Sequence, residues 1–261
     1  MWRPILLMKR FFISIFLSLL LLASPALAQD AAEKPSDYVV LLHGIGRSAS
    51  AMEKMAKDLR ARGYTVLNIN YESRKYDIPT LADRMHADIT ALNADKTRKI
   101  NFVGHSMGAL VVRAYIKNHR PENLGRVVAI GSPNKGSEVA DFLNNFGLYD
   151  SFYGPAGQQL TTAYGISNVL GKPDYEVGVI AGDRTIDPLS TLIIPGADDG
   201  KVSIESTHID GEKDHIILHA NHATMPMNAA VIIETAHFIR YGFFKRDGVR
   251  QEKKTTAEKT K

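Results

Sequence analysis

The stretch Gly104-His105-Ser106-Met107-Gly108 has the pattern G-x-S-x-G and directly follows an apolar run over residues 100–103. A helical pattern continues over residues 107–118, so the pentapeptide predicts a sharp turn between a buried strand and a helix. Glycine is needed at both ends of such a turn because side chains there would collide with neighbouring backbone. The turn would present Ser106 at the top of a sheet as a candidate nucleophile. A chance match within an ordinary strand–helix unit is the alternative.

A second glycine-containing loop lies further upstream. Residues 38–42 form another apolar run, which leads directly into His43-Gly44-Ile45-Gly46. In acyl transfer by a serine, backbone N–H groups from such a loop and from the residue after the nucleophile stabilise the developing oxyanion. We expect these donors to be Ile45 and Met107, and His43 is a candidate substrate-binding residue. The glycine string of a dinucleotide-binding loop is absent from this stretch.

A nucleophilic serine needs a histidine base and an acid that orients the base, in the chain order serine, acid, histidine. Residues 193–203 place two aspartates in a turn that follows an apolar run. Asp199, immediately before Gly200, is the predicted acid, and Asp198 is the alternative. An ordinary Asp-Gly turn without a catalytic role would have the same local sequence.

Three histidines lie close together in the downstream half, at His215, His219 and His222. His222 is the predicted base because it follows the apolar run 216–218 and precedes an amphipathic helix predicted over 229–241. The other two are predicted to be surface or structural residues. A zinc site formed by the three histidines is the alternative. Their spacing resembles neither HExxH nor a zinc finger, however, and the chain has no cysteine.

Together these motifs resemble those of bacterial serine esterases and lipases of the α/β-hydrolase superfamily, in its lipase-like branch and particularly among small exported members. The resemblance covers nearly the whole predicted domain. Its matching segments are residues 41–46, 70–74, 78–83, 104–108, 131–141, 199–205 and 222–225.

The resemblance implies a catalytic triad and two backbone oxyanion donors. These are Ser106, Asp199 and His222 for the triad, and Ile45 and Met107 for the donors. The chain departs from the family pattern over residues 221–226, where relatives often carry a hydroxyl residue beside the histidine and lack the proline. His219 therefore stays open as the alternative base.

The first 28 residues have the pattern of a secretory signal peptide. Three basic residues precede an apolar run over 11–22, and Ala26-Leu27-Ala28 supplies small residues for cleavage after Ala28. Residues 29–37 would follow as a linker. A membrane-spanning helix needs about 20 apolar residues, and the run 11–22 is shorter than that. Cleavage is therefore the prediction, and an uncleaved membrane anchor is the alternative. We expect an exported protein, periplasmic or secreted, and the lack of cysteine is compatible with an oxidising compartment.

Positive charge is concentrated at the two ends of the chain. The net charge is +4, of which the signal segment carries three positive charges and residues 245–261 carry seven positive against three negative, leaving about −3 between them. A nucleic-acid partner is therefore not expected, because such proteins gather basic residues on a folded face. The tail 245–261 is predicted to be disordered, with peripheral contact to anionic lipid as an alternative role.

Strand and helix patterns alternate between residues 38 and 244. The predicted strands are 38–42, 65–70, 100–103, 127–130, 177–181 and 215–218, and the predicted helices are 50–62, 80–96, 107–118, 137–146 and 229–241. This alternation predicts the α/β class, with a mainly parallel central sheet flanked by helices in one α/β-hydrolase domain over 38–244. The proposed catalytic residues all follow strands, where open α/β sheets bind ligands.

An insertion over residues 131–176 separates two of the predicted strands. It is rich in aromatic residues and contains the turn-forming stretch 154–157. The segment would form a small cap and an acyl pocket, with Phe146 and Phe152 as candidate substrate-binding residues. Packing of these side chains onto the sheet is the alternative.

The predicted activity is hydrolysis of carboxylic esters, of small molecules or lipids, through an acyl-enzyme, with no metal or organic cofactor. His105, inside the turn, would support the site or contact the substrate. Two alternatives stay open, namely acyl transfer with the same triad and a binding protein of this fold without catalysis. The sequence does not indicate an oligomeric state.

Overall fold

The computed structural model of the protein describes residues 37–93, 95–145, 149–186 and 188–246. The predicted signal peptide 1–28, all but the last residue of the linker 29–37 and the tail beyond Arg246 lie outside these residues. Phe146 lies outside them as well. No helix within the described ranges is long and apolar enough to span a membrane.

In the described part of the chain, six parallel strands form one sheet in the order β2-β1-β3-β4-β5-β6. They are β1 (Tyr38–Leu42), β2 (Thr65–Ile69), β3 (Ile100–His105), β4 (Leu124–Ile130), β5 (Val177–Gly182) and β6 (Asp214–Leu218). Strands β1, β3 and β5 are buried along their whole length, as expected for a parallel sheet covered on both faces. The predicted fold class is confirmed.

Ten α-helices occur in the described residues. They are α1 (Glu53–Ala61), α2 (Ile78–Arg84), α3 (His86–Leu92), α4 (Met107–His119), α5 (Glu138–Asn144), α6 (Tyr149–Gln158), α7 (Ile166–Leu170), α8 (Pro188–Ile193), α9 (Ile204–Thr207) and α10 (Ala229–Tyr241). Short 3-10 helices cover Ala49–Met52, Thr162–Tyr164 and Met225–Met227.

The helix predicted over 80–96 is two helices in the structure, separated at Met85. Helix α2 begins earlier than expected because the Asp77 side chain accepts a hydrogen bond from the Thr80 N–H (2.9 Å), which caps the first turn. Met85 adopts φ −92° and ψ 0°, outside the regular helical range, while its side chain is buried in the core. The single helix was therefore a wrong prediction at this point.

Helices cover both faces of the sheet. On one face α2, α4 and parts of the insertion pack against the sheet, with Phe102, Leu110 and Leu160 among the buried side chains. On the other face α1 and α10 pack against Val103 and its neighbours. Burial of each large apolar side chain contributes about 1.5–3 kcal/mol, so these two layers hold the strand ends in place.

The ordered domain extends slightly beyond the predicted boundary at residue 244. The backbone N–H groups of Lys245 and Arg246 both donate to the Glu234 carboxylate, at 2.7 and 3.0 Å, and Arg246 forms an ion pair with Asp214. These two residues were assigned to the disordered tail, which was wrong because their partners lie on α10 and β6. Nothing in their local sequence indicates those distant carboxylates.

Candidate active site

Ser106 lies between β3 and α4 in an unusual backbone conformation. Its φ is 55° and its ψ is −129°, and only one other described non-glycine residue, Arg246, has a positive φ. A conformation of this kind costs about 1–3 kcal/mol and persists only where the surroundings enforce it. The Ser106 N–H donates to the Ile130 carbonyl at 2.8 Å, which ties the turn to β4.

The two glycines of the turn are required by close packing. A Cβ at Gly104 would lie 2.3 Å from the Ala109 backbone, and one at Gly108 would lie 2.5 Å from the Leu42 carbonyl oxygen. Real Cβ atoms do not approach backbone this closely, so the tight strand-to-helix turn accepts only glycine at both positions. The sequence prediction assigned this role to the glycines, and the geometry agrees with it.

Asp199 and His222 form a hydrogen-bonded pair. His222 Nδ1 donates to Asp199 Oδ2 at 2.8 Å, and the His222 backbone N–H donates to the Asp199 carbonyl, also at 2.8 Å. The other carboxylate oxygen of Asp199 accepts from the N–H groups of Lys201 (3.0 Å) and Val202 (2.9 Å). The Asp199 side chain is fully buried, so all of its hydrogen bonds come from the protein. The pair is arranged to fix both the orientation and the tautomer of the imidazole.

Asp198, the alternative acid, has different hydrogen-bond partners from Asp199. Its carboxylate accepts from the Gly200 N–H at 2.7 Å, and its backbone forms an isolated antiparallel bridge with Ser203. Burial raises the pKa of Asp198, with the Gly200 hydrogen bond acting in the opposite direction. The structure thus gives Asp198 a part in the turn that positions Asp199.

Sequence reasoning missed the two glycines that make room for the acid–base pair. A Cβ at Gly131, where φ is +53°, would lie 3.0 Å from Asp199 Oδ2 and 3.3 Å from His222 Nδ1. At Gly182 it would lie 2.9 Å from the Asp199 Cβ. Gly131 directly follows β4, and Gly182 is the last residue of β5. This position at a strand end was the one signal in the sequence that could have identified them. Larger residues at these positions would displace the pair.

His105 supports His222 through its main chain. The His105 Nε2–H donates to the His222 carbonyl at 3.0 Å, and the two rings lie 4.9 Å apart. Burial, reinforced by the positive charge that His222 can carry, holds the pKa of His105 well below its usual range. His105 Nδ1 is buried without a hydrogen-bond partner. A neutral imidazole in this place is suited to holding the His222 loop.

His43 anchors the loop that follows β1. Its Nδ1–H donates to the Gly44 carbonyl (2.9 Å), its Nε2 accepts from the Tyr71 N–H (3.3 Å), and its ring stacks on the Tyr71 ring at 4.2 Å. Burial lowers the pKa of His43. Both ring nitrogens are therefore engaged within the protein, and His43 is not among the residues that line the cavity described next.

A cavity of about 390 Å³ opens above Ser106. Ser106, His105 and His222 contribute to its wall, and so does Ile45, the predicted oxyanion donor of the first loop. Met107, the predicted second donor, is the first residue of α4, where an N–H has no acceptor within its own helix. Such a cavity lies within the usual size range of small-molecule sites. The apolar part of the wall includes Ile45, Val139, Leu143, Tyr153, Leu160 and Val202.

The insertion over residues 131–176 supplies most of this apolar wall and also packs on the sheet. Leu143 and Tyr153 line the cavity and at the same time contact the core beneath it. The segment therefore packs on the sheet and also lines the cavity, while its role as an acyl pocket stays a prediction. Phe152 belongs to α6, but its side chain is outside the described part of the structure, as is the whole of Phe146.

The three histidines considered as a zinc site have separate partners. His215 Nε2 contacts Thr207 Oγ1 at 3.0 Å, and His219 Nδ1 contacts Asp183 Oδ1 at 2.9 Å. His222 is bonded to Asp199. Because the three rings do not converge, they do not form the joint site that the alternative required.

Comparison with known proteins agrees with this architecture. Residues 38–166 match the family model described as palmitoyl protein thioesterase. A triacylglycerol lipase from Burkholderia plantarii is 30% identical over 159 residues, which cover 57% of this chain and 43% of that lipase. The chain therefore spans less than half the length of this curated relative.

Two solved structures have the same fold. The mature form of a lipase from Bacillus licheniformis aligns with a TM-score of 0.68 and 19% identity, covering 82% of this chain and 96% of that one. A carboxyl esterase of metagenomic origin aligns with a TM-score of 0.59 and 17% identity, covering 72% and 64% of the two chains. The chain therefore has the α/β-hydrolase fold, and its sequence is similar to proteins described as lipases and as a palmitoyl protein thioesterase.

Proposed function

We propose that the protein is a serine carboxylic ester hydrolase that works through an acyl-enzyme. Ser106 attacks the ester carbonyl, and His222 takes the serine proton and returns it to the leaving group. Asp199 holds the imidazole in the required tautomer, while the N–H groups of Ile45 and Met107 stabilise the oxyanion.

The observation that carries the proposal is the partly buried Asp199–His222 hydrogen bond of 2.8 Å next to a cavity that both His222 and Ser106 line. The strained backbone of Ser106 supports it, because strain of this kind is concentrated at functional sites. No part of this arrangement requires a metal ion or an organic cofactor.

The cavity wall contains both aliphatic and aromatic side chains, which favours a substrate with an apolar acyl chain. A second candidate function is hydrolysis of long-chain acyl thioesters, which the family match over residues 38–166 favours. Both reactions would use the same serine chemistry and differ in the leaving group. The ratio of kcat/KM for a thioester and an oxygen ester of the same acyl chain distinguishes them.

A covalent probe tests the proposal directly. We expect a fluorophosphonate to add once per chain, with the adduct located on Ser106 by peptide mass spectrometry. The same preparation should hydrolyse p-nitrophenyl butyrate, p-nitrophenyl palmitate or the matching thioesters. Product partition toward an added alcohol would instead indicate an acyltransferase. A folded protein that neither reacts with the probe nor turns over these substrates would contradict the proposal and favour a binding role.

Selection of acyl chain length should depend on Leu143. Tryptophan at this position would fill part of the cavity, so we expect kcat/KM for the palmitate ester to fall at least about tenfold relative to the butyrate ester. Val169, on α7 and outside the cavity lining, provides the matched control as Val169→Trp. An unchanged ratio in Leu143→Trp would show that this wall does not hold the acyl chain.

A further inference from the structure

A group of three metal-ligating side chains lies away from the candidate active site, between α9 and β6. His208, Glu212 and His215 each offer one ligand atom, and these atoms lie within 4.8 Å of one another. The three side chains are partly buried, and the described residues contain no other group of this kind. Their spacing, H-x3-E-x2-H, was not identified in the sequence as a metal motif.

Two of the three side chains are already in contact. His208 Nδ1 and Glu212 Oε1 are 2.6 Å apart, and the other oxygen of Glu212 accepts from the Ile209 N–H at 2.8 Å. The carboxylate is therefore held by the backbone of its own turn. A metal ion that replaced the shared proton would have a nitrogen and an oxygen ligand with little rearrangement.

The third side chain presents a nitrogen lone pair. Thr207 uses its hydroxyl proton on the Ile204 carbonyl (2.6 Å), so toward His215 Nε2 it accepts a hydrogen bond of 3.0 Å. Because Nε2 carries the proton, Nδ1 carries the lone pair that a metal ion requires. Histidine ligands commonly donate their second ring N–H to a protein oxygen, which fixes the orientation of the ring. The His215 and His208 rings are stacked, with centroids 4.1 Å apart.

We propose that His208, Glu212 and His215 bind one Zn²⁺ ion. Two imidazoles and one carboxylate suit this borderline-soft ion, whereas Ca²⁺ and Mg²⁺ require mainly oxygen ligands. Nearby Glu205 is ion-paired with Lys135 at 2.6 Å, so the fourth ligand is assigned to water. Zinc–nitrogen bonds are about 2.0–2.1 Å long, so ligand atoms that lie within 4.8 Å of one another would move closer together when the ion binds.

Such an ion would stabilise the segment that carries the acid and the base. The three ligands lie in the chain between Asp199 and His222, and β6 leads directly from His215 toward His222. Closing this turn with a metal favours the folded state by linkage, because the ion binds the native arrangement more tightly than the unfolded chain. The expected role is structural, and it does not depend on the proposed function.

Calorimetric titration of Zn²⁺ into chelator-treated protein without a histidine tag tests the site. We expect one ion per chain and a higher Tm in its presence. Binding should weaken at least about tenfold in Glu212→Gln and His215→Gln, and by about 10- to 100-fold in Thr207→Val, which removes the partner of His215 Nε2. Far-UV circular dichroism identifies any variant that fails to fold.

Two control variants separate this site from other histidines. His219→Gln removes an exposed histidine that pairs with Asp183, and His222→Gln removes the candidate base. Both should retain the single Zn²⁺ ion and the Tm increase. Absence of Zn²⁺ binding, or equal affinity in wild type, Glu212→Gln and His215→Gln, would overturn the proposal. Loss of the ion in His222→Gln alone would assign the metal to the active site instead.

Discussion

Ser106→Ala is expected to lower kcat for p-nitrophenyl esters by up to about 10⁶-fold, the loss found when a serine nucleophile is removed from an intact triad. Without Oγ no acyl-enzyme forms, and the remaining rate comes from binding and the oxyanion donors. The measurement is kcat on p-nitrophenyl butyrate with matched protein concentrations. The fluorophosphonate adduct should disappear in the same variant.

The fold should survive this substitution. Alanine retains the Cβ, and the turn is still held by the Ser106 N–H bond to the Ile130 carbonyl. Ser50→Ala is the matched control, since Ser50 is exposed and its hydroxyl contacts the Ser48 hydroxyl. Hydrolysis by Ser106→Ala at the wild-type rate would rule out this serine as the nucleophile. Equal losses in both variants would indicate a defect in the preparations.

The local sequence was sufficient to predict those elements whose structure depends on local packing. The apolar runs predicted all six strands, and the strand–glycine–serine–glycine–helix pattern predicted the turn at Ser106. Strand β4 begins earlier than predicted, at Leu124, because the Arg126 N–H pairs with the Asn101 side chain at 2.8 Å beside an irregularity in the register. A polar side chain that replaces a regular ladder bond leaves no periodic signal.

The insertion was less predictable because distant backbone determines its shape. Helix α6 is interrupted at Gly154 (φ 63°, ψ −164°), where a Cβ would lie 1.8 Å from the Arg74 carbonyl oxygen. That contact joins segments far apart in sequence, so the helix propensity of the local residues could not predict it. For the same reason the sequence predicted Asp199 and His222 as acid and base but not the contacts that hold them in place. The contact of His105 with the His222 carbonyl and the space left by Gly131 both required the fold.

Asp199→Asn is expected to lower kcat by about 10⁴-fold while the protein stays folded. An asparagine oxygen can still accept from the Lys201 and Val202 N–H groups, which leaves its NH₂ facing His222 Nδ1. Nδ1 must then accept a hydrogen bond, so the proton moves to Nε2, the atom that has to receive the Ser106 proton. The side chains keep their positions, but His222 has the tautomer that cannot accept the Ser106 proton.

Asp198→Asn provides the matched control, because it changes the adjacent carboxylate and keeps an acceptor for the Gly200 N–H. We expect its kcat to remain within about tenfold of wild type, since Asp198 does not contact His222. Comparison of the two variants on p-nitrophenyl butyrate, with thermal unfolding of each, separates orientation of the base from stability of the turn. A large loss in Asp198→Asn together with near-normal turnover in Asp199→Asn would reverse the assignment of the acid. Comparable losses with comparable drops in Tm would show that the turn, and not the His222 tautomer, limits the rate.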